Sequence, residues 1–452
     1  MITYSTEDPI VALASPPGES AIAVIRTSGA ACFSILSPLF RGTVDLAHST
    51  GHTLHHGILL DPSTGEEIDE IVAGIYRAPA SYTGEDSVEL FCHGSIPIIQ
   101  RIIMLLTSNG FRKAGPGEFT LRAFLNRKMD LTRAEAVNEI IRAKTDRARA
   151  FALNRLSGSI KRKIDEIKKE CVKILASVEI QIDYPDEETE HEINLLEQVM
   201  TIQEKLGRIL GTYKTGRIIQ EGISVVIAGS TNAGKSTLFN LLLREDRAIV
   251  SEIHGTTRDY IEGFIAIEGI PIRLYDTAGL RKTDHPVELE GIKRTDRLIE
   301  NAHVLIFVID AETGLTESKR QLIEEYKKKS HTIVLWNKID KTAVPCPKGF
   351  IPFSAKEGTG LHRLNEEVVK GVLGSSSVRI GEPVIDSLRQ KELLESCLSS
   401  LRDFEKGFSE GLPLDVLATC LQDAVEALGS ITGEVTSSDV LATMFSHFCV
   451  GK

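Results

Sequence analysis

No apolar run in the chain approaches the roughly 20 residues that carry a helix across a bilayer, so a helical membrane protein is not expected. The opening MITYSTEDPI has no basic stretch followed by an apolar core, so no signal peptide is expected. Cysteine is scarce: seven residues, an odd number, with no CxxC pair. That argues against a disulfide or zinc framework and fits a reducing cytoplasm. Positive charge is in the minority, with 52 Lys and Arg against 63 Asp and Glu and a net charge of −11. A chain coated in nucleic acid is therefore disfavoured. Residues 112–173 reverse the balance, with 17 basic against 8 acidic side chains. Such a stretch suits phosphates, and reads equally as the solvated faces of a helix pair.

What is present is ordinary globular composition, 42% hydrophobic and 25% charged, over 452 residues. That length suits about three domains at roughly 150 residues each. Residues 1–118 read as short strands and turns with a helix or two, for example Ala21–Arg26 and Val88–Cys92, punctuated by Pro16-Pro17-Gly18 and Gly115-Pro116-Gly117. Helical spacing follows. Ile160, Ile164, Ile167, Cys171, Ile174, Val178 and Ile182 form one apolar stripe. After acidic Asp183–Glu192, a second runs through Leu195, Val199, Ile202, Leu206, Ile209 and Tyr213. Strand and helix patterns alternate from Ile223 to about Gly371, the mark of a mainly parallel α/β sheet. A polar link at Gly374-Ser375-Ser376-Ser377 precedes a last helical stretch, 384–448. The expected organisation is an α/β domain at 1–118, a helical domain split between 119–215 and 377–452, and an α/β domain at 216–376 inserted in it.

The inserted domain carries the clearest chemistry. Apolar Ile223–Ala228 ends in GSTNAGKS, Gly229 to Ser236. This is GxxxxGKS after a strand and at a helix start, the context of a phosphate-binding loop. Backbone N–H groups must turn inward around phosphate oxygens, and side chains at Gly229 or Gly234 would obstruct that approach. Lys235 supplies positive charge to the β- and γ-phosphates, and Ser236 offers its hydroxyl to Mg²⁺. The helix start adds its positive dipole end.

Three further segments follow in order. Ile272–Tyr275 leads into Asp276-Thr277-Ala278-Gly279, where Asp276 would hold Mg²⁺ through water and the Gly279 N–H would sense the γ-phosphate. Val304–Ile309 reads as a structural strand without a motif. Thr332–Trp336 delivers Asn337-Lys338-Ile339-Asp340. An aspartate accepts from guanine N1–H and the exocyclic amine together, a donor pair adenine lacks, so Asp340 selects GTP. The Lys338 stem would cover the base. Ser354-Ala355-Lys356 comes last, with the Ala355 N–H expected to donate to guanine O6. A threonine between the first two motifs completes the Mg²⁺ shell; Thr257 is the choice and Thr256 the runner-up. The expected GTP-binding set is Asn232, Ala233, Gly234, Lys235, Ser236 and Thr237; Ser251, Glu252, Ile253, His254, Gly255, Thr256 and Thr257; Asp276, Thr277, Ala278 and Gly279; Asn337, Lys338 and Asp340; and Ser354, Ala355 and Lys356.

A catalytic gap stands beside these motifs. Ras-like GTPases place a water-orienting glutamine just after the DxxG glycine. Here that position is Leu280, which makes no hydrogen bond. Asp284, Glu288 and Glu290 are candidate water-positioning groups, and Arg258 or Arg281 candidate cations.

With these residues in place, the chain resembles the bacterial tRNA-modification GTPase family MnmE (TrmE) over essentially its whole length. Ser81-Tyr82-Thr83-Gly84-Glu85-Asp86 with Glu89 and His93-Gly94, the run Pro116–Val137, and the final Phe448-Cys449-Val450-Gly451-Lys452 carry the resemblance. It implies G domains that dimerise in the GTP state around K⁺, with Asn232, Ser251, Ile253 and Thr256 as K⁺ ligands and Glu288 orienting water through a second water. Lys235 and Glu288 are then the catalytic pair, and Cys449 a candidate for covalent chemistry. It also implies a constitutive homodimer and a 5-formyltetrahydrofolate or related one-carbon folate held by Arg26, Glu89, Lys128 and Lys452. Its partners would be tRNA and the flavin-dependent protein MnmG (GidA), in a heterotetramer. Two departures stand out. Thr231 replaces the usual proline of the phosphate loop. Ser387-Leu388-Arg389-Gln390 replaces an N-x-R-H pattern, which puts in doubt any inter-helix contact of that asparagine or histidine.

Overall fold

The structure, a computed structural model, describes residues 7–184, 195–245, 261–276, 298–374 and 378–452. They divide into two compact units, residues 1–138 with 425–452, and residues 139–424.

The first unit is built on seven strands: β1 (Ile10–Leu13), β2 (Ser20–Ser28), β3 (Phe40–Gly42), β4 (Thr53–Asp61), β5 (Glu66–Tyr76), β6 (Ser87–Gly94) and β7 (Arg112–Lys113). Their order is β3-β4-β5-β6-β2-β1-β7. All neighbours are antiparallel except β1 and β7, which are parallel. Alternate residues of β2, β5 and β6, including Ile25, Ile71, Ala73 and Leu90, enter a core shared with α1 (Cys32–Leu36) and α2 (Ile96–Ser108). The period of two puts one face inward. The expected strand runs Ala21–Arg26 and Val88–Cys92 lie in adjacent β2 and β6, pairing Arg26 with Glu89. Then come α3 (Glu118–Leu125) and α4 (Leu131–Arg142), within which the chain passes into the second unit.

Helices α5 (Asp146–Leu156), α6 (Ser159–Asp183), α7 (Leu195–Gly211) and α8 (Tyr213–Glu221) open the second unit. The α6 stripe is buried from Ile160 through Val178, whereas Ile182, in the last turn, is exposed. In α7 the stripe ends at Ile209, and Tyr213 starts the next helix. Both helices bury a stripe about one-third of their circumference wide, so their stability comes from packing. The six-stranded sheet follows: β8 (Ile223–Gly229), α9 (Lys235–Glu245), β9 (Ile261–Ile267), β10 (Ile270–Asp276), β11 (Val304–Asp310), α10 (Glu317–Lys329), β12 (His331–Asn337), β13 (Ile351–Phe353) and α11 (Leu361–Leu373). The order is β13-β12-β11-β8-β10-β9, parallel throughout except the β9–β10 hairpin. All seven residues of β11 are buried, as expected of a strand covered on both faces. The parallel strands all present their C-terminal ends to one edge, where ligands bind in open α/β sheets.

The chain continues in α12 (Leu388–Ser409), α13 (Leu414–Thr432) and, back in the first unit, α14 (Ser438–Ser446). Helix α7 packs against α6 and α12; Lys205 Nζ meets Glu170 Oε1 at 2.7 Å and Gln203 Nε2 donates to Glu405 Oε2 at 3.0 Å. Ser387 occupies the N-cap position of α12, and Gln390 is buried in its first turn.

Candidate functional site

The phosphate loop begins where β8 ends. Gly229 has φ 147°, and a Cβ there would lie 2.3 Å from the Val308 carbonyl oxygen. The turn then needs two left-handed residues, Asn232 at φ 61° and Gly234 at φ 99°. Asparagine tolerates that region better than most side chains. Ser230 and Thr231 permit the turn, with Ala233 N–H donating to Ser230 O at 3.2 Å. Helix α9 starts at Lys235, so its N-terminal N–H groups face the loop. Lys235 is buried, and its Nζ donates to Gly229 O at 3.0 Å and Ser230 O at 2.9 Å. The ammonium is thus held over the loop mouth.

Next to it, Ser236 Oγ donates to Asp276 Oδ2 at 3.1 Å, joining the start of α9 to the end of β10. A hydroxyl beside a buried carboxylate suits a small hard cation that keeps several waters. These two residues therefore fit Mg²⁺.

The base end is organised by Asn337, which is buried at the end of β12. Its Nδ2 donates to Ala233 O at 2.7 Å and its Oδ1 accepts from Ala355 N–H at 2.9 Å. One amide thereby bridges the phosphate loop and the loop after β13. The Ala355 N–H, expected to reach guanine O6, is engaged by Asn337 in this arrangement. Ser354 Oγ donates to Asp340 Oδ1 at 2.7 Å, which aims the exposed carboxylate and, as the leading cause, holds it below the usual carboxylate range. Gly234, Thr237, Asn337, Lys338, Asp340, Lys341, Ala355 and Lys356 line one cleft. Of these, Lys341 was not singled out from the sequence.

Asp310 is the clearest addition to the expected set. It ends β11, in register with Asn337 of β12, and its Oδ2 meets Lys338 Nζ at 2.6 Å. Burial works to raise the Asp310 carboxyl. Hydrogen bonds from Lys338 and the Glu312 N–H, with the charges of Lys338 and Lys319, outweigh it and keep the group ionised below the usual range. The available sequence signal was an acid closing a run of apolar residues at the ligand-binding edge of a parallel sheet.

Ser251, Glu252, Ile253, His254, Gly255, Thr256, Thr257, Arg258, Thr277, Ala278, Gly279, Leu280, Arg281, Asp284, Glu288 and Glu290 lie outside the described residues.

The first unit holds a second cluster. Arg26 Nε donates to Glu89 Oε1 at 2.8 Å, and its Nη1 donates to Gly451 O at 3.2 Å. The guanidinium lies 5.4 Å from the Tyr82 ring centre and 5.8 Å from that of Phe119, a geometry that favours a cation. The terminal segment is pinned here. Gly117 N–H donates to Cys449 O at 3.2 Å, and Gly451 at φ 91° would bring a Cβ within 2.4 Å of Leu13 O. Lys452 is half-buried. Burial lowers its proton affinity, Arg26 lowers it further, and Glu89 opposes both. Arg26 is thus paired with Glu89, and Lys452 feels the charge of both. Lys128 is exposed and donates to Pro79 O at 2.8 Å, near the loop that carries Tyr82. Cys449 is exposed. In the basic stretch, Arg112, Arg122, Arg149 and Arg155 are engaged by carboxylates, and Arg127, Arg142, Arg149 and Arg162 are exposed. Among the described residues no helix is long and apolar enough to cross a membrane.

Comparison with known proteins agrees across the chain. A family model described as the MnmE helical domain matches residues 131–449, and one described as the GTP-binding protein TrmE N-terminus matches residues 9–128. The tRNA modification GTPase MnmE of Borreliella burgdorferi (strain ZS7) is 41% identical over 463 aligned positions, covering 99% of each chain. That of Carboxydothermus hydrogenoformans is 39% identical, covering 99% of this chain and 100% of its own. Among solved structures, Era in complex with MgGDPNP and a segment of 16S ribosomal RNA is 26% identical over 39% of this chain and 66% of its own, with a TM-score of 0.28.

Proposed function

The chain belongs to the MnmE family of tRNA-modification GTPases, and from that membership we propose the reaction it serves and the groups that carry it. It hydrolyses GTP in the service of tRNA modification. With a flavin-dependent partner (MnmG, GidA) it adds an aminomethyl or carboxymethylaminomethyl group to C5 of the wobble uridine of certain tRNAs. The Asn337 bridge between the phosphate loop and the Ala355 turn carries the nucleotide assignment, because with the Ser354–Asp340 bond it ties the two ends of one cleft together.

Lys235 faces the β- and γ-phosphates; Ser236 and Thr257 would hold Mg²⁺ directly and Asp276 through water, and the ion would neutralise charge on the phosphate oxygens. Glu288 orients the attacking water through a second water. K⁺, held by Asn232, Ser251, Ile253 and Thr256, supplies the cation an arginine finger would otherwise bring. The remaining residues of the expected GTP-binding set wrap the nucleotide. GTP binding and hydrolysis drive closing and opening of paired G domains. The protein is a cytoplasmic homodimer that assembles with its partner as a heterotetramer. Arg26, Glu89, Lys128 and Lys452 would hold a one-carbon folate, with Cys449 a candidate nucleophile. Residues 119–215 and 377–452 form one helical domain around the GTPase domain 216–376.

The reading is tested by the wobble-nucleoside profile of cells with and without the gene. Loss of the modified nucleoside on deletion is expected. An unchanged profile would leave a regulatory or ribosome-associated GTPase switch as the better account. GTP turnover in K⁺ against Na⁺ checks the ion: faster turnover in K⁺ is expected, and equal rates would remove it.

A further inference from the structure

The β9–β10 hairpin has a position that the nucleotide site alone does not explain. In sequence its two strands lie between residues 246–260, which include Thr256 and Thr257, and the DxxG motif that starts at Asp276. Its turn, Glu268-Gly269, is gripped by the corner between α4 and α5. Thr145 Oγ1 donates to Gly269 O at 2.7 Å, and Arg147 Nη1 donates to Glu268 O at 3.2 Å. Lys144 Nζ lies 5.0 Å from the Phe264 ring centre on β9. The approach is close: a Cβ on Gly269 would come within 2.8 Å of Arg147 Cβ.

The far end of α5 is anchored as firmly. Arg155 is 2% exposed. Its Nε donates to Glu139 Oε2 at 2.6 Å, its Nη2 meets Asp386 Oδ2 at 3.0 Å, and its Nη1 donates to Val384 O at 3.2 Å. Gln220, near the end of α8 and just ahead of β8, donates to Glu139 O at 2.9 Å. Phe151 and Ala148 of α5 pack with Ile219 and Val384. One helix thus touches the hairpin between the two nucleotide-sensing motifs, and also both chain connections into and out of the sheet.

We propose that α5 couples the nucleotide state of the GTPase sheet to the helices, with Thr145 as the positioning residue at the hairpin end and Arg155 as the anchor at the other. A rigid helix fixed at both ends turns a small shift of the hairpin into a shift of the 382–386 connection. Neither residue is among those lining the base cleft. The inference rests on the proposal that GTP turnover drives the modification.

Removing Arg155 would take its guanidinium from Glu139, Asp386 and the Val384 carbonyl at once, so the informative variants are at Thr145. Its Oγ1 both donates to Gly269 O and accepts from Ala148 N–H as the α5 cap. Thr145→Asp keeps an acceptor for the cap but cannot donate. Thr145→Ser keeps both bonds. Each full-length variant is purified for GTP turnover and expressed in the deletion strain for wobble-nucleoside analysis. Thr145→Asp is expected to hydrolyse GTP within about twofold of the parent while modification falls about tenfold, inside the usual range for coupled sites; Thr145→Ser should match the parent in both. Modification at the parent level in Thr145→Asp, or turnover and modification falling by the same factor, overturns the coupling. If the parent chain itself restores no modification, the functional reading fails first, and that result is separable from the other two.

Discussion

Lys338 Nζ sits 2.6 Å from Asp310 Oδ2, across two adjacent parallel strands that end at the same level. The pair fixes the direction of the lysine stem whose apolar part lines the base cleft. Lys338 also adopts φ 70°, a conformation that non-glycine residues hold only when their surroundings enforce it.

Asp310→Asn should therefore weaken guanine-nucleotide binding while leaving turnover at saturating GTP nearly intact. The expected loss is about tenfold in Kd, or about 1.4 kcal/mol. Titration of fluorescent GDP measures it. An unchanged Kd would mean that the stem is held by its own backbone.

The same pair sets an acid limit. The folded carboxyl of Asp310 lies below its ordinary value, so the ionised form favours the folded state. Its contribution is present above the ordinary carboxylate range and is lost as pH falls through the depressed folded value. Stability measured by urea at stepwise lower pH should decline in the parent once pH falls below the ordinary carboxylate range, where the unfolded chain takes up the Asp310 proton before the folded chain does. Asp310→Asn should remove this share of the decline. An identical acid profile in the variant would show that other carboxylates govern it.

Gly234→Ala places a methyl 2.2 Å from Asn337 Nδ2, at φ 99°. Asn337 must then move, and its bonds to Ala233 O and Ala355 N–H go with it. Nucleotide affinity should fall by at least about tenfold. Gly314→Ala, also at positive φ (71°) but with nothing within 4 Å, separates backbone strain from the collision. Equal losses in both variants would assign the effect to strain alone.

Glu89→Gln tests the cluster in the first unit. Arg26 would keep its charge while losing its paired carboxylate, and Lys452 the nearby negative charge. Binding of 5-formyltetrahydrofolate, followed by calorimetry, should weaken by about tenfold if Glu89 accepts from the pterin N–H groups. Tighter binding would mean that the two cations alone recognise an anion there.

Nucleotide recognition was legible in the sequence because its parts are local. A strand, a glycine-rich turn and a helix start follow one another within Ile223–Lys235, and their backbone geometry depends on which residues stand next to each other. The same holds for the apolar stripes of α6 and α7, where a period near 3.6 names the buried face. Only the tertiary structure decided the partners. Asp310 and Lys338 are 28 residues apart, Arg26 and Gly451 425 apart, and Asn337 reaches a carbonyl 104 residues earlier. Strand order and helix packing choose such pairs, and those depend on how the whole chain buries its apolar surface. The sequence determined that a guanine nucleotide would be held by its local motifs; the fold decided which distant side chains hold those motifs in place.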